Sequence, residues 1–219
     1  MRTRKIIVTV LLLAGCADST GSSAPAAVTI VSGNGQTGTV ALVVPNPLVV
    51  RVATAGGDGV QGVAVSWAVT AGGGSLDAAS TVTGADGQAQ VQWTLGPRVE
   101  AQTVTATVQG LPPATFTLTP APGLFDRIAI VPDSADLTAV NQTLVLRPSY
   151  TDAHGNAVAQ PAAVVWTSLD TAVVKLDVSV TRDLLAVAVR GGRARVVART
   201  RNVANTRNVA DTAVIRVRL

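Results

Sequence analysis

The sequence predicts an all-β protein built from two β-sandwich domains in tandem. Apolar and polar residues alternate at period two along most of the chain, and glycine-rich turns separate these stretches at intervals of about 8–12 residues. A proline-rich segment interrupts the pattern near the middle. Because alternation places one face of each strand in a core and the other in water, each half of the 219-residue chain is expected to bury its own core.

Residues 1–15 are predicted to be a secretion signal. Arg2, Arg4 and Lys5 form a basic start, and the apolar stretch 6–14 is too short for a membrane core that requires about 20 residues. This stretch ends in Leu13-Ala14-Gly15-Cys16, which resembles the bacterial lipobox.

The lipobox resemblance implies a lipoprotein. The thiol of Cys16 would receive a diacylglyceryl group, and several acyl chains would then hold the protein to a membrane. An ordinary signal peptide whose cleavage site happens to contain cysteine is the alternative. Because Ala17 rather than aspartate follows the cysteine, the resemblance favours the outer membrane of the cell envelope, facing either the periplasm or the exterior. Residues 16–27 are small and polar and are expected to form a flexible tether.

The charge of the mature chain is low. The formal net charge of +4 includes three positive residues of the signal, so removal of residues 1–15 leaves +1. The first half is slightly acidic and the second half is basic. We therefore expect no specific nucleic-acid partner.

The first predicted sandwich occupies residues 28–119. Gly57-Asp58-Gly59, Gly72-Gly73-Gly74 and Asp86-Gly87 supply the positive φ angles that tight turns need. Trp67 and Trp93 are the large side chains expected in its core. The apolar residues expected to face inward are Leu48, Val50, Val52, Val63, Val65, Trp67, Val69, Ala89, Val91, Trp93, Leu95, Val104, Ala106 and Val108.

Residues 120–124 are predicted to be a short, semi-rigid proline-rich linker, and residues 125–219 a second sandwich. In the second half, Trp166 follows a polar turn, as Trp67 does in the first. The apolar positions of its strands are Ile128, Ile130, Leu144, Leu146, Val164, Trp166, Ala194, Val196, Ala198, Ile215, Val217 and Leu219.

Both halves resemble bacterial immunoglobulin-like modules. Residues 28–119 resemble the group 1 type of invasin and intimin stalks through GVAVSWAVTAGGGSL and GQAQVQWTLG. Residues 125–219 are similar to group 2 modules through FDRIAIVPDSADLTAVNQTLVLRPSYTDAHGNAV and VVWTSLDTAVVKLD. The resemblance implies two tandem immunoglobulin-like sandwiches that act as a stalk, with any receptor bound by a separate tip domain. The chain ends on a predicted strand at Leu219, so we expect no tip domain.

A tandem hexamer lies near the end of the chain. Residues 201–206 read RNVANT and residues 207–212 read RNVADT. Without one copy, the segment reads as an ordinary strand-turn-strand. The duplication is therefore predicted to lengthen the last hairpin loop, at little cost in stability.

The composition offers little catalytic chemistry. With one cysteine and one histidine the chain has no plausible catalytic constellation, and no cofactor or metal is expected. His154 is interpreted as a solvated turn residue. Asp58, Asp86 and Asp152 are interpreted as turn residues because no spaced run of carboxylates accompanies them. We predict that the protein is not an enzyme.

The second half carries one candidate binding patch, for anions. Arg193, Arg195 and Arg199 are expected on the outer face of one strand, and Arg216 and Arg218 on the outer face of the last strand. Guanidinium groups in such a patch bind phosphates and carboxylates. Protection of an exposed sheet edge is the favoured explanation of the arginines, and their number also fits the codon usage of a GC-rich genome. The predicted loop between the two strands adds Arg201 and Arg207.

Taken together, the sequence predicts a lipid-anchored envelope protein whose modules serve as a surface spacer or adhesion element. A surface polysaccharide or a protein receptor is the expected partner, and the assembly state is left open. The alternative is a module that binds carbohydrate or anionic envelope polymers through its arginines. Exposed aromatics for sugar stacking are not expected, since the tryptophans fall at core positions.

Overall fold

A computed structural model describes residues 24–159, 164–178, 184–202 and 207–219, and all regular secondary structure in these ranges is β-strand. The strands of the N-terminal module are β1 (Ala27–Ser32), β2 (Leu48–Ala53), β3 (Ala64–Ala71), β4 (Gly74–Leu76), β5 (Ser80–Val82), β6 (Gln88–Val91), β7 (Trp93–Leu95), β8 (Gln102–Thr107) and β9 (Ala114–Leu118).

The N-terminal module is a sandwich of antiparallel sheets. One layer has the order β1-β2-β6 and continues through the β4-β7 pair, because β7 follows β6 after a single residue. The opposite layer has the order β5-β3-β8-β9. Since β2 pairs with β6 and β3 with β8, the chain crosses repeatedly from one layer to the other, as in a Greek-key arrangement.

The tryptophans lie in the core between these layers, as the sequence predicts. Trp67 is 4% exposed and Trp93 is fully buried. Trp67 packs against Phe116 at a ring-centroid distance of 6.0 Å, and its indole N–H donates to Oγ1 of Thr81 at 2.8 Å. The indole therefore fills the core without losing its hydrogen bond.

Strand β2 departs from the predicted alternation. Val50 and Val52 are fully buried as expected, but Val49 on the opposite face is only 8% exposed. The period-two pattern therefore predicts the strand correctly, but it does not predict the burial of Val49 on the outer face.

The predicted turn at Asp86-Gly87 forms as expected. Gly87 has a φ of 77°, and a β-carbon there would lie 2.5 Å from the carbonyl oxygen of Val52. Both the backbone angle and the close approach of β2 therefore require glycine.

The C-terminal module is a second sandwich with its own core. Its layers have the orders β10-β12-β15-β14 and β11-β17-β16-β13, and β11 pairs with β17 in parallel. The strands are β10 (Phe125–Val131), β11 (Ser134–Leu137), β12 (Thr143–Asp152), β13 (Val165–Ser168), β14 (Val174–Val178), β15 (Leu184–Ala188), β16 (Gly192–Asn202) and β17 (Arg207–Val217).

This division of strands is the immunoglobulin arrangement. The first, second, fourth and fifth principal strands (β10, β12, β14 and β15) form one layer, and the third, sixth and seventh (β13, β16 and β17) form the other. The predicted fold class, all-β with two tandem immunoglobulin-like sandwiches, is confirmed. No helix among the described residues has the length and apolar character needed to cross a membrane.

Candidate functional site

The candidate arginine patch lies on the hairpin of β16 and β17. Arg193 is directly opposite Arg216 in the antiparallel register, and Arg195 lies opposite Val214. Residues two apart share a face, so Arg193, Arg195 and Arg199 project from the same side of β16. The alternating neighbours on the core side are all buried: Ala194, Val196 and Ala198. We call this exposed side the arginine face.

The arginines on this face differ in their ion pairs. Asp136 of β11 lies 3.9 Å from a guanidinium nitrogen of Arg216 and 3.2 Å from one of Arg218. Arg193 and Arg195 are exposed, and among the described residues their side chains make no hydrogen bond or ion pair. The positive charge that lacks an intramolecular partner is therefore concentrated on β16.

A shallow depression lies beside the unpaired arginines. It measures about 310 Å³ and is lined by Leu169, Asp170, Arg193 and Arg195. Leu169 is held there because its backbone N–H donates to the carbonyl oxygen of Arg195 at 2.8 Å. The depression therefore combines two guanidinium groups, one carboxylate and one exposed leucine.

Strand β13 covers only part of the β16 edge. Its ladder with β16 runs from Val165 opposite Arg199 to Ser168 opposite Val196, so Arg199 lies on an inner stretch of the layer. Arg193 and Arg195 lie beyond the end of this ladder. Edge protection, one explanation of these charges from the sequence, is therefore removed for Arg199 and stays an explanation for Arg193 and Arg195.

The prediction that the hexamer repeat lengthens the hairpin loop is wrong, because the second copy forms part of a strand. Residues 207–212, the second copy, belong to β17 and pair with β16 up to Asn202. Val209 of this copy packs against the core, and the duplication lengthens the ladder. Residues 203–206 lie outside the described residues. The backbones of Arg201 and Arg207 are in the strands, but their side chains are not described.

A second functional feature, the module junction, was missed at the sequence level. We use this name for the contacts among Pro97, Val99, the linker and the turn 152–156. Asn156 is 6% exposed, and its side-chain amide donates to the carbonyl oxygen of Pro97 at 2.7 Å. Its amide oxygen accepts from the backbone N–H of Val99 at 3.4 Å. One side chain of the C-terminal module thus contacts the N-terminal module twice.

The carboxylate of Asp152 holds this turn together. It accepts from the backbone N–H groups of Gly123, His154 and Asn156 at 2.8, 2.8 and 2.9 Å, and from the side-chain amide of Asn156 at 2.8 Å. Burial raises the pKa of Asp152, but the Asn156 amide and the three backbone donors outweigh it and lower the pKa to about 2. The folded turn therefore stabilises the ionised carboxylate of Asp152.

The linker is tied to both modules. Ala121 donates its N–H to Gly38 at 2.9 Å and accepts from the N–H of Val40 at 3.0 Å, both in the N-terminal module. Two residues later, Gly123 donates to Asp152. The linker therefore forms part of the contact between the modules.

The loop that carries Pro97 is fixed from within. Gln102 is fully buried, its amide nitrogen donates to the carbonyl oxygens of Gly96 and Arg98 at 3.2 and 2.9 Å, and its amide oxygen accepts from Gly96 at 2.7 Å. A buried glutamine with these bonds sets the loop that contacts Asn156.

The other residues considered from the sequence are His154, possible metal ligands and Cys16. His154 is an exposed turn residue beside an open cleft of about 390 Å³ between the modules. Among the described residues, no three His, Cys, Asp or Glu side chains are grouped as metal ligands would be. Cys16, the predicted lipidation site, and residues 1–23 as a whole lie outside the described residues.

Solved structures of bacterial surface proteins are similar to this chain. The FdeC adhesin of Escherichia coli matches at 21% identity with a TM-score of 0.46, over 87% of this chain and 63% of that one. The D0-D1 domain of intimin matches at 15% identity with a TM-score of 0.36, over 88% and 98%. Invasin, a bacterial integrin-binding protein, matches at 17% identity with a TM-score of 0.40, over 86% and 39%. No protein-family profile and no curated protein matches the chain.

Proposed function

We propose that the chain is a non-enzymatic, lipid-anchored protein of the bacterial cell envelope whose two immunoglobulin-like modules act as a surface spacer or adhesion element. The observation that carries this proposal is the module junction. A spacer has to present its far end at a defined distance and orientation. Hydrogen bonds from Asn156 to Pro97 and Val99, and from the linker to both modules, support such a fixed arrangement.

The lipid anchor in this proposal rests on the Leu13-Ala14-Gly15-Cys16 motif. Cys16→Ser removes the thiol that would carry the lipid, so the variant should leave the membrane fraction while the wild-type chain remains in it. Asp18→Asn, two residues further on, is the matched control and should stay with the membrane. Continued membrane association of Cys16→Ser would refute the anchor.

A second candidate function is binding of carbohydrate or anionic envelope polymers through the arginine face. It is favoured by the exposure of Arg193 and Arg195 beside the depression that Asp170 also lines. The wild-type chain should be retained on a heparin column, and retention should weaken with salt as charges are screened. Elution at the same salt concentration as a chain without these arginines would contradict this function.

A further inference from the structure

We propose that Arg193 and Arg195, with Arg216 beside them, form a binding site for a phosphorylated sugar unit of a surface glycan. This inference rests on the second candidate function and names the chemical class of its ligand.

The register brings like charges together. Residues directly opposite in an antiparallel pair have β-carbons about 4.5–5.5 Å apart, and like charges in such pairs are destabilising. Arg193 and Arg216 occupy such a pair, and Arg195 is the next residue on the same face. Asp136 is shared between Arg216 and Arg218, so it neutralises only part of this charge. A multiply charged oxyanion over Arg193 and Arg195 would offset the repulsion.

A phosphate group suits these donors. A guanidinium presents planar N–H pairs that match two oxygens of a phosphate, and charge-assisted hydrogen bonds of this kind are among the stronger ones in proteins. Two guanidinium groups on one sheet face, with a third across the ladder, can engage several phosphate oxygens at once. The backbone beneath these side chains is held by the ladder with β17 and by the hydrogen bond from Leu169 to Arg195.

The other lining residues point to a sugar that carries the phosphate. Asp170 is half-buried, its Oδ1 accepts from the backbone N–H of Ala172 at 3.1 Å, and within the described residues Oδ2 has no hydrogen bond. A free carboxylate oxygen repels a bare anion but accepts hydrogen bonds from sugar hydroxyls. Leu169 is 53% exposed and offers an apolar surface to the face of a sugar ring. The volume of about 310 Å³ lies in the range of small-molecule sites.

The test is an NMR titration of the full chain in a neutral detergent with glucose 1-phosphate, inorganic phosphate and glucose at equal ionic strength. Glucose 1-phosphate should shift the amide signals of residues 169–170 and 193–195 and bind more tightly than inorganic phosphate. The R193A/R195A variant should bind glucose 1-phosphate about tenfold more weakly or worse. Asp170→Asn keeps the acceptor for Ala172 and should narrow the preference for glucose 1-phosphate over inorganic phosphate.

The matched control is R127A/R147A, which removes two arginines from the other layer of the same module and should keep the wild-type affinity. Equal losses in both double variants, or inorganic phosphate binding as tightly as glucose 1-phosphate, would overturn the proposal. The heparin column separates the two levels of the inference. If R193A/R195A elutes at a lower salt concentration than the wild type but glucose 1-phosphate shifts no amide signals, polymer binding through the arginine face is supported and this site is refuted. If R193A/R195A elutes with the wild type, polymer binding through the arginine face is refuted whatever the titration shows.

Discussion

At the scale of single residues, the core aromatics are the best predicted feature. Trp67 and Trp93 occupy alternating positions within clear strands, and both are buried. Gln102 shows the limit of such reasoning, because its position has core parity but its side chain is polar. Its role depends on hydrogen bonds to loop carbonyls that no local pattern encodes.

Trp67→Ala should lower the free energy of unfolding by about 3–5 kcal/mol, because it leaves a cavity beside Phe116 and removes the partner of Thr81. Urea denaturation followed by circular dichroism measures the change. Val82→Ala, at a position 63% exposed, is the control and should stay within about 0.5 kcal/mol. Equal effects of the two substitutions would refute the packing described here.

The stability of the turn at Asp152 should depend on pH in acid. Its pKa falls from 3.8 to about 2 on folding, so the stabilisation is fully present above about pH 4 and is lost as the pH falls towards 2. The contribution is on the order of 2 kcal/mol. Urea titrations at a series of pH values should show that Asp152→Asn loses stability at neutral pH and flattens the acid dependence. The same flattening in Asp58→Asn, an exposed turn residue, would contradict this assignment.

At the scale of elements, the strands were largely predictable and the last hairpin was not. Alternation identified β3, β6, β7 and β8 because one face of each meets the core. The hexamer repeat was interpreted as a loop insertion because the segment reads as an ordinary strand-turn-strand without one copy. The structure instead pairs the second copy with β16, so the added residues extend both strands of the hairpin. The edge-protection alternative failed for Arg199 alone, because the order and extent of neighbouring strands cannot be predicted from one strand.

Val209 tests whether the second hexamer copy is truly in the ladder. Val209 is half-buried and packs against the core, whereas its neighbour Asn208 is exposed. Val209→Ala should therefore cost about 1 kcal/mol of unfolding free energy, and Asn208→Ala almost nothing. Chemical denaturation of both variants measures the difference. If neither substitution changed the unfolding free energy, the assignment of this segment to a strand would be contradicted.

At the scale of the whole molecule, the sequence indicated two modules but not how they meet. Asn156 and Pro97 are 59 residues apart, and each looks like an ordinary turn residue in its own segment. The polar turn before Trp166 was visible as a motif, yet its contact with the other module depends on the placement of two complete domains. Sequence reasoning therefore predicted a linker at residues 120–124 but not the hydrogen bonds that Ala121 and Gly123 make to the two modules.

The central claim is that the two sandwiches form one coupled unit, and their rotational tumbling tests it most directly. ¹⁵N relaxation of the full chain in a neutral detergent yields a correlation time for the amides of each module. We expect one common value in the wild type and in Asn46→Ala, an exposed position whose side chain makes none of the junction hydrogen bonds. Asn156→Ala should yield shorter, separate values because it removes the bonds to Pro97 and Val99. Separate values in the wild-type chain would contradict the claim.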